Sequence, residues 1–373
     1  MLKKIFIAIV AAVIFTLPAS AKESTWQPEI KIGILGGVNS VELQFSAPCV
    51  MVDAATNKTL KKIPANKIFS VTLKDFESDS VEIRGEKVLL KDLICSINGK
   101  KYFGGVRLDK KFDSFVVINI AAVEEYLRGV VPEEMSVSFY PEALKAQAVA
   151  ARSFTLKNRK RHEAEGYDLC ATNHCQFYGG VDSVDNFSDV IIKLTRGEVL
   201  TYNEKIVDTN FHTDSGGMTE SVAEVWGTTA PHLQPVEDFE KNTQAWKLEF
   251  SIVDFSSRFG DNFGTLKQIK LSPLKVGKSD TDRSTSGRVK FAQIISTKRN
   301  LQLTGNELRS KFSLPSTLFD IKISGDKVIF EGYGRGHGVG MSQYGANAYA
   351  KSGWDYEKIL KHYYTGTTLK KLY

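Results

Sequence analysis

The chain has 373 residues, 42% of them hydrophobic, enough to bury a full core in one large domain or two. Its formal charge of +6 includes Lys3 and Lys4 near the N-terminus, and so modest an excess over so large a surface excludes a nucleic-acid footprint. It would tolerate a polyanionic partner without requiring one.

The N-terminus has the form of an export signal. Lys3 and Lys4 give a positive start, Ile5 to Leu17 are apolar apart from Thr16, and Ala19-Ser20-Ala21 is a small-residue cleavage site. The apolar run is too short for a comfortable membrane span, and no later segment is long and apolar enough to cross a bilayer. No cysteine follows the cleavage site to carry a lipid. The expectation is an exported soluble protein beginning near Lys22, in the periplasm or at the cell envelope. An uncleaved N-terminal anchor is the alternative.

From Ile30 to about Asp113 the pattern is of short strands joined by turns, with Val41 to Phe45 alternating apolar and polar and Asn98-Gly99 as the strongest hairpin signal. Phe115 to Ile120 reads as a buried strand and Ala121 to Leu127 as a short helix. Pro141 to Lys157 is the clearest helix, with proline in its first turn and five alanines after it. Strands are expected again at Val199–Tyr202 and Lys205–Phe211, and a strand-rich stretch of no arguable function runs from 231 to 330. Helices near Ser342–Ala350 and Tyr356–Tyr363 close the chain, the second with Asp355 as N-cap. Strands interrupted by clustered helices indicate an α+β fold, not alternating βαβ units. The expected divisions are 1–21, 22–113, 114–230, 231–330 and 331–373.

Four stretches could carry chemistry. The first is Val130 to Leu156, which puts Glu133 and Glu134 just ahead of the alanine-rich helix. Carboxylates in a first helical turn complement the helix dipole, which is the structural reading. A carboxyl group held against apolar surface instead has its pKa raised and can act as a general acid. The second is Cys170-Ala171-Thr172-Asn173-His174-Cys175, with His162 upstream. In an exported chain Cys170 and Cys175 could form a disulfide, and with His162 and His174 they also offer the Cys₂His₂ donors that zinc accepts. Cys49 and Cys95 could likewise bridge the N-terminal region or lie as small buried thiols. The third runs from Asn210 through His212, Ser215, Gly216 and Thr219 to Trp226; its Ser, His and Asp do not form a nucleophile elbow. The fourth, Gly334 to Gly345, alternates glycines around His337 and ends in Ser342-Gln343-Tyr344, with spacing that fits neither a P-loop nor a dinucleotide fingerprint.

In this order the four stretches closely resemble the stage II sporulation protein D (SpoIID)/LytB family, strongly over about Val117 to Thr228 and again over Gly332 to Leu369. The resemblance implies that 114–230 is a catalytic core completed by 331–373. It implies that Glu134, immediately before Met135, is the acid/base of a lytic transglycosylase acting on peptidoglycan already stripped of stem peptides by an amidase. It places His212, Ser215, Gly216, Thr219, His337 and Ser342 at a glycan cleft, with Glu133 at its rim and Gln343 and Tyr344 as weaker candidates; Gln147 and Arg152 match the family helix and either face that cleft or satisfy buried polar groups. Some members carry zinc on a His…Cys…His-Cys cluster, which would make His162, Cys170, His174 and Cys175 a closed, structural site. The LytB side of the family is associated with enhancing an amidase, so a glycan-binding module partnered with a cell-wall amidase is the competing expectation.

Overall fold

The computed structural model describes residues 26–76, 78–239 and 244–373. The expected export signal at 1–21 lies outside these residues. The α+β expectation holds: short helices cluster between several mostly antiparallel sheets.

The N-terminal part is two sheets around one core. A seven-stranded sheet contains Glu29–Val38 and Ser114–Ala122 side by side, and a four-stranded sheet contains Ser40–Phe45 and Ile94–Ile97. Alternation decides which faces turn inward: Val41, Leu43 and Phe45 are buried, and they share a core with Ile30, Ile32 and Val117 of the larger sheet. Asn98 and Gly99 both take positive φ, at 49° and 83°, which makes the tight hairpin that the dipeptide signals. Cys49 and Cys95 are free, buried thiols.

The helices follow. The helix α1 is Val123–Arg128, α2 Val131–Glu134 and α3 Pro141–Lys157. The α1 helix starts later than its composition suggests, because Ala121 and Ala122 remain paired with Ile30 and Glu29 in the sheet. Next come α4 (Asn186–Leu194) and α5 (Val222–Trp226). The α3 helix is buried on almost every side, and its alanines let neighbouring backbone approach closely. The expected strand Lys205–Phe211 is instead two short pieces, Lys205–Ile206 and Phe211–His212. The second pairs in parallel with Met341–Ser342, which draws it away from the first.

Residues 246–332 build a second core. Two three-stranded sheets, α6 (Ile252–Ser257) and α7 (Gly305–Phe312) enclose a cluster rich in phenylalanine, with Phe255 stacked on Phe312 at 4.7 Å. The chain then returns to the first core through α8 (Gln343–Lys351) and α9 (Tyr356–Tyr363), the latter capped by Asp355. No helix among the described residues is long and apolar enough to cross a membrane.

The glycine-rich stretch is what brings the two ends of the chain together. Gly340 has φ +71°, and a Cβ there would stand 2.0 Å from the Asn210 carbonyl oxygen. Only glycine permits both the left-handed backbone and that approach. Gly338 lies against the Arg288 guanidinium in the same way, 2.5 Å from Nε to an added Cβ. This strand seam carries His337 to within ring contact of His212.

Candidate active site

A cleft of about 610 Å³ opens where the α2 turn, the Asn173–Phe177 loop and the His212 and His337 stretches meet. Glu134 is the last residue of a four-residue helix, and Met135 leaves it in extended conformation. The Glu134 carboxyl is half-buried, and its Oε1 accepts the Phe177 N–H at 2.7 Å. Burial pushes its pKa up to about 7, and the adjacent Glu133 charge adds to the rise, against the lowering effect of the Phe177 N–H. Glu133 also lines the cleft but is exposed and accepts the Ser183 hydroxyl. Two consecutive carboxylates are thus given different environments, and Glu134 is the half-buried one, poised to hold a proton near neutrality.

The loop that supplies Phe177 is anchored on both sides. After it, Tyr178 is buried and donates its hydroxyl to Asn119 Oδ1 at 3.2 Å. Before it, buried Gln176 accepts from Thr155 Oγ1 of α3 at 2.9 Å. Further back, the ligand atoms of His162, Cys170, His174 and Cys175 all lie within 4.8 Å of one another. Cys175 Sγ stands 3.4 Å from His162 Nε2 and 3.7 Å from His174 Nδ1, and Cys170 Sγ is 3.7 Å from the same His174 nitrogen. Tetrahedral zinc with ordinary Zn–S and Zn–N bonds separates its sulfur and nitrogen donors by roughly 3.5 Å, so the four groups fit that ion. The second nitrogen of His162 lies 3.6 Å from Glu165, within ion-pair range but beyond a hydrogen bond. His174 and Cys175 also line the cleft.

The opposite wall is aromatic. The rings of Trp226 and His337 are 5.1 Å apart, and those of His337 and His212 are 5.5 Å apart. Trp226 is 46% exposed and lines the cleft, so it is a wall residue and not core. One backbone unit fixes both imidazoles. The Val339 N–H donates to His337 Nδ1 at 3.0 Å, while the Val339 carbonyl lies 3.1 Å from His212 Nδ1. The carbonyl can only accept, which assigns the His212 proton to Nδ1 and leaves Nε2 as a bare acceptor. That Nε2 is buried with no hydrogen-bond partner among the described residues. Burial first, then Arg288 and Arg309, pushes His337 down to about 3, and burial with the neighbouring His337 holds His212 well below the usual histidine range. Both rings are neutral at working pH, suited to sugar hydroxyls and not to proton donation as imidazolium.

A family model described as stage II sporulation protein matches residues 111–202, and one described as a domain of unknown function matches 232–340. The stage II sporulation protein D of Bacillus subtilis is 33% identical over 269 residues, spanning 67% of this chain and 74% of that protein. The chain belongs to the SpoIID/LytB family. An uncharacterized protein of Brachyspira hyodysenteriae is 32% identical over 74% of this chain and 73% of its own length. The amidase enhancer of Bacillus subtilis is 28% identical over 95% of this chain but only 56% of that protein.

Against these family expectations the structure divides the candidate residues. Glu134, His212, His337 and Gln343 line the cleft together with Glu133 and Trp226. Gln147 stands behind them, fully buried, with its Oε1 accepting from Gln343 Nε2 at 3.4 Å. Four others are scaffold, a correction to their reading as cleft residues. Ser215 is fully buried and donates to Asp238 at 2.6 Å, and Thr219 is tied to the Val236 backbone. Ser342 caps α8 by accepting the Gly345 N–H, and Gly216 forms the turn between them at φ +78°. Tyr344 packs edge-on against Phe139. The cleft also holds Phe177 and Arg335, which lie in or beside marked stretches but were not singled out, and Arg161 and Arg309, which carry no motif signal.

Arg152 is the clearest correction: it satisfies a buried polar group and does not face the cleft. It is fully buried and makes a two-pronged ion pair with Glu124, Nε to Oε1 at 2.9 Å and Nη2 to Oε2 at 2.8 Å, while Nη1 donates to the Glu198 carbonyl. Tyr373 and the Gly197 N–H complete the cage around Glu124. Arg152 therefore pins α3 to α1, and Glu124 in turn holds Tyr373 at the end of the chain, away from the cleft. Arg152→Ala leaves Glu124 buried and unpaired, and should cost about 3–5 kcal/mol of stability in denaturant unfolding. A substrate contact would instead show an unchanged midpoint and weaker glycan binding.

Proposed function

We propose that this protein is an exported peptidoglycan lytic transglycosylase, acting on glycan strands stripped of stem peptides, with Glu134 as its general acid and base. The observation that carries this reading is the Glu134 carboxyl, half-buried in a sugar-sized cleft with its pKa at about 7. In the neutral form it protonates the oxygen that links MurNAc C1 to GlcNAc. As that bond breaks, the C6 hydroxyl of the same MurNAc attacks C1, and the Glu134 carboxylate takes the hydroxyl proton. The acid is regenerated, no water is consumed, and the product ends in a 1,6-anhydro ring.

The arrangement of carboxylates favours this route over hydrolysis. Glycoside hydrolases place two carboxyl groups on either side of the scissile bond. Here Glu133 follows the same turn as Glu134 and is engaged by Ser183. The bare His212 Nε2 and the exposed face of Trp226 suit a sugar hydroxyl and a sugar ring on the far wall.

Zinc on His162, Cys170, His174 and Cys175 is part of the proposal. With four protein ligands the ion supplies folding energy and holds a loop. The chain's own contribution is Phe177, two residues past Cys175, whose N–H holds Glu134. Purified protein should contain one equivalent of zinc by elemental analysis. Cys170→Ser with Cys175→Ser should abolish it and lower the melting temperature by several degrees, roughly what losing a few kcal/mol would do. Metal-free protein with the same melting temperature would rule the site out.

A second reading has its own support in the similarity to an amidase enhancer along nearly the whole chain. On that reading the cleft binds glycan and raises the turnover of a cell-wall amidase without chemistry of its own. Mass spectrometry of products from amidase-stripped strands separates the two. Wild type should release anhydro-ended fragments, and Glu134→Gln should release less by a factor on the order of 10²–10⁴, as expected for loss of an essential acid/base. Stimulation of an amidase by both proteins, with no glycan product from either, would favour the enhancer.

A further inference from the structure

Six of this chain's arginines outside the cleft show what the protein does with a guanidinium it wants neutralised. Arg128, Arg152 and Arg283, for example, each meet an Asp or Glu oxygen at 2.5–2.8 Å. Among the described residues the three cleft arginines do not, and neither do Arg159, Arg196, Arg288 and Arg299 outside it, of which buried Arg288 is held by the Ser215 carbonyl at 2.9 Å. Among the described residues Arg161, Arg309 and Arg335 have no carboxylate within ion-pair distance, although Glu133 and Glu134 line the same cleft.

Arg309 is the most telling. It projects from α7, in the second core, and is partly buried. Its Nε is spent on the Leu314 carbonyl at 3.2 Å, which fixes the guanidinium plane and leaves both terminal nitrogens open. Burial disfavours its charged form, and among the described residues no carboxylate lies within ion-pair distance of it. It lines the cleft with His212, Trp226 and His337. Holding a partly desolvated cation without a partner is costly and is explained if a ligand brings the anion. Arg335 stands beside His337 in the chain, with its backbone locked to Asp214 by reciprocal hydrogen bonds at 2.9 and 3.0 Å and its side chain exposed. Neither arginine lowers Glu134, whose shift is set by burial, Phe177 and Glu133. The positive groups are therefore placed to meet a ligand anion without ionising the acid.

We propose that Arg309 and Arg335 form a carboxylate-reading subsite that binds the free lactyl carboxylate of muramic acid, so that the 232–340 segment selects which strands reach Glu134. This rests on the glycan reading above and deepens it. The lactyl group of a peptide-bearing strand ends in a neutral amide; only a stripped strand presents a carboxylate. A guanidinium fork distinguishes the two by charge and by paired hydrogen bonds. The segment that matches a family of unknown function thereby gains a role, as the specificity wall of a cleft whose acid lies on the other unit.

The test is a binding measurement on full-length Glu134→Gln protein, so that it does not depend on catalysis. Peptide-free glycan oligomers are compared with the same oligomers after conversion of their carboxyl groups to methylamides. The free-acid strand should bind on the order of tenfold or more tightly, as a charge-assisted hydrogen bond implies. Arg309→Gln and Arg335→Gln, each added to that background, should shrink the ratio, and Arg309→Lys should restore part of it. Arg335 is exposed, so its variant keeps the test alive if Arg309→Gln fails to fold. Equal affinity for the two strands, or a ratio that survives in the double glutamine variant, overturns the proposal. So does arginine-dependent binding of a poly(glycerol phosphate) by a protein that does not discriminate the strands, which would make this a phosphate site. Wild-type protein that releases no glycan product, together with a Glu134→Gln protein that still discriminates the strands, would remove the transglycosylase reading and leave the subsite standing.

Discussion

One hydrogen bond, from the Phe177 N–H to Glu134 Oε1, organises the site. It crosses from the loop that bears Cys170, His174 and Cys175 to the turn that bears the acid. A backbone donor would by itself favour the ionised carboxylate. Burial and the Glu133 charge outweigh it, and the carboxyl settles at about 7, held in place and still able to carry a proton. The loop in turn depends on Gln176 and Tyr178, which tie it to α3 and to the strand Ser114–Ala122. The acid is thus positioned by the rigid centre of the fold and not by a surface loop acting alone.

The other wall is built by a different constraint. Backbone from Asn210 to His212 and from Gly336 to Ser342 runs so close that only glycines fit at the crossing points. That closeness lets the N–H and the carbonyl of one residue, Val339, set the protonation pattern of two histidines. Behind them, buried Glu220 accepts from Ser284 and Ser286, joining the second core to the first. The second core is consequently a fixed part of the cleft, and Arg309 reaches the aromatic wall from it.

Much of the fold was legible in the sequence. The α3 helix has the bounds that Pro141 and the alanine run indicate, α9 begins after its Asp355 cap, and the Asn98-Gly99 hairpin takes the backbone that the dipeptide favours. These features are local, so local chemistry reveals them. Membership of a motif proved less informative about direction. His212 and Ser215 lie three residues apart, yet one ring faces the cleft and the other hydroxyl is sunk against Asp238. Arg152 sits in the helix the motif marks, but a carboxylate inside the protein claims it. Arg309 carried no signal at all, because its place depends on how a separate core docks against the first.

The most direct measurement is a carbon-13 titration of the glutamate carboxyls, with Glu134 assigned by its absence in Glu134→Gln. A raised pKa means the group is neutral and able to donate a proton below its midpoint, and ionised above it. The account predicts a midpoint at about 7, far from the ordinary glutamate value of 4.5. A Glu134 that titrates near 4.5 would be an ionised surface carboxylate at neutral pH, and the general acid at the centre of this account would be gone.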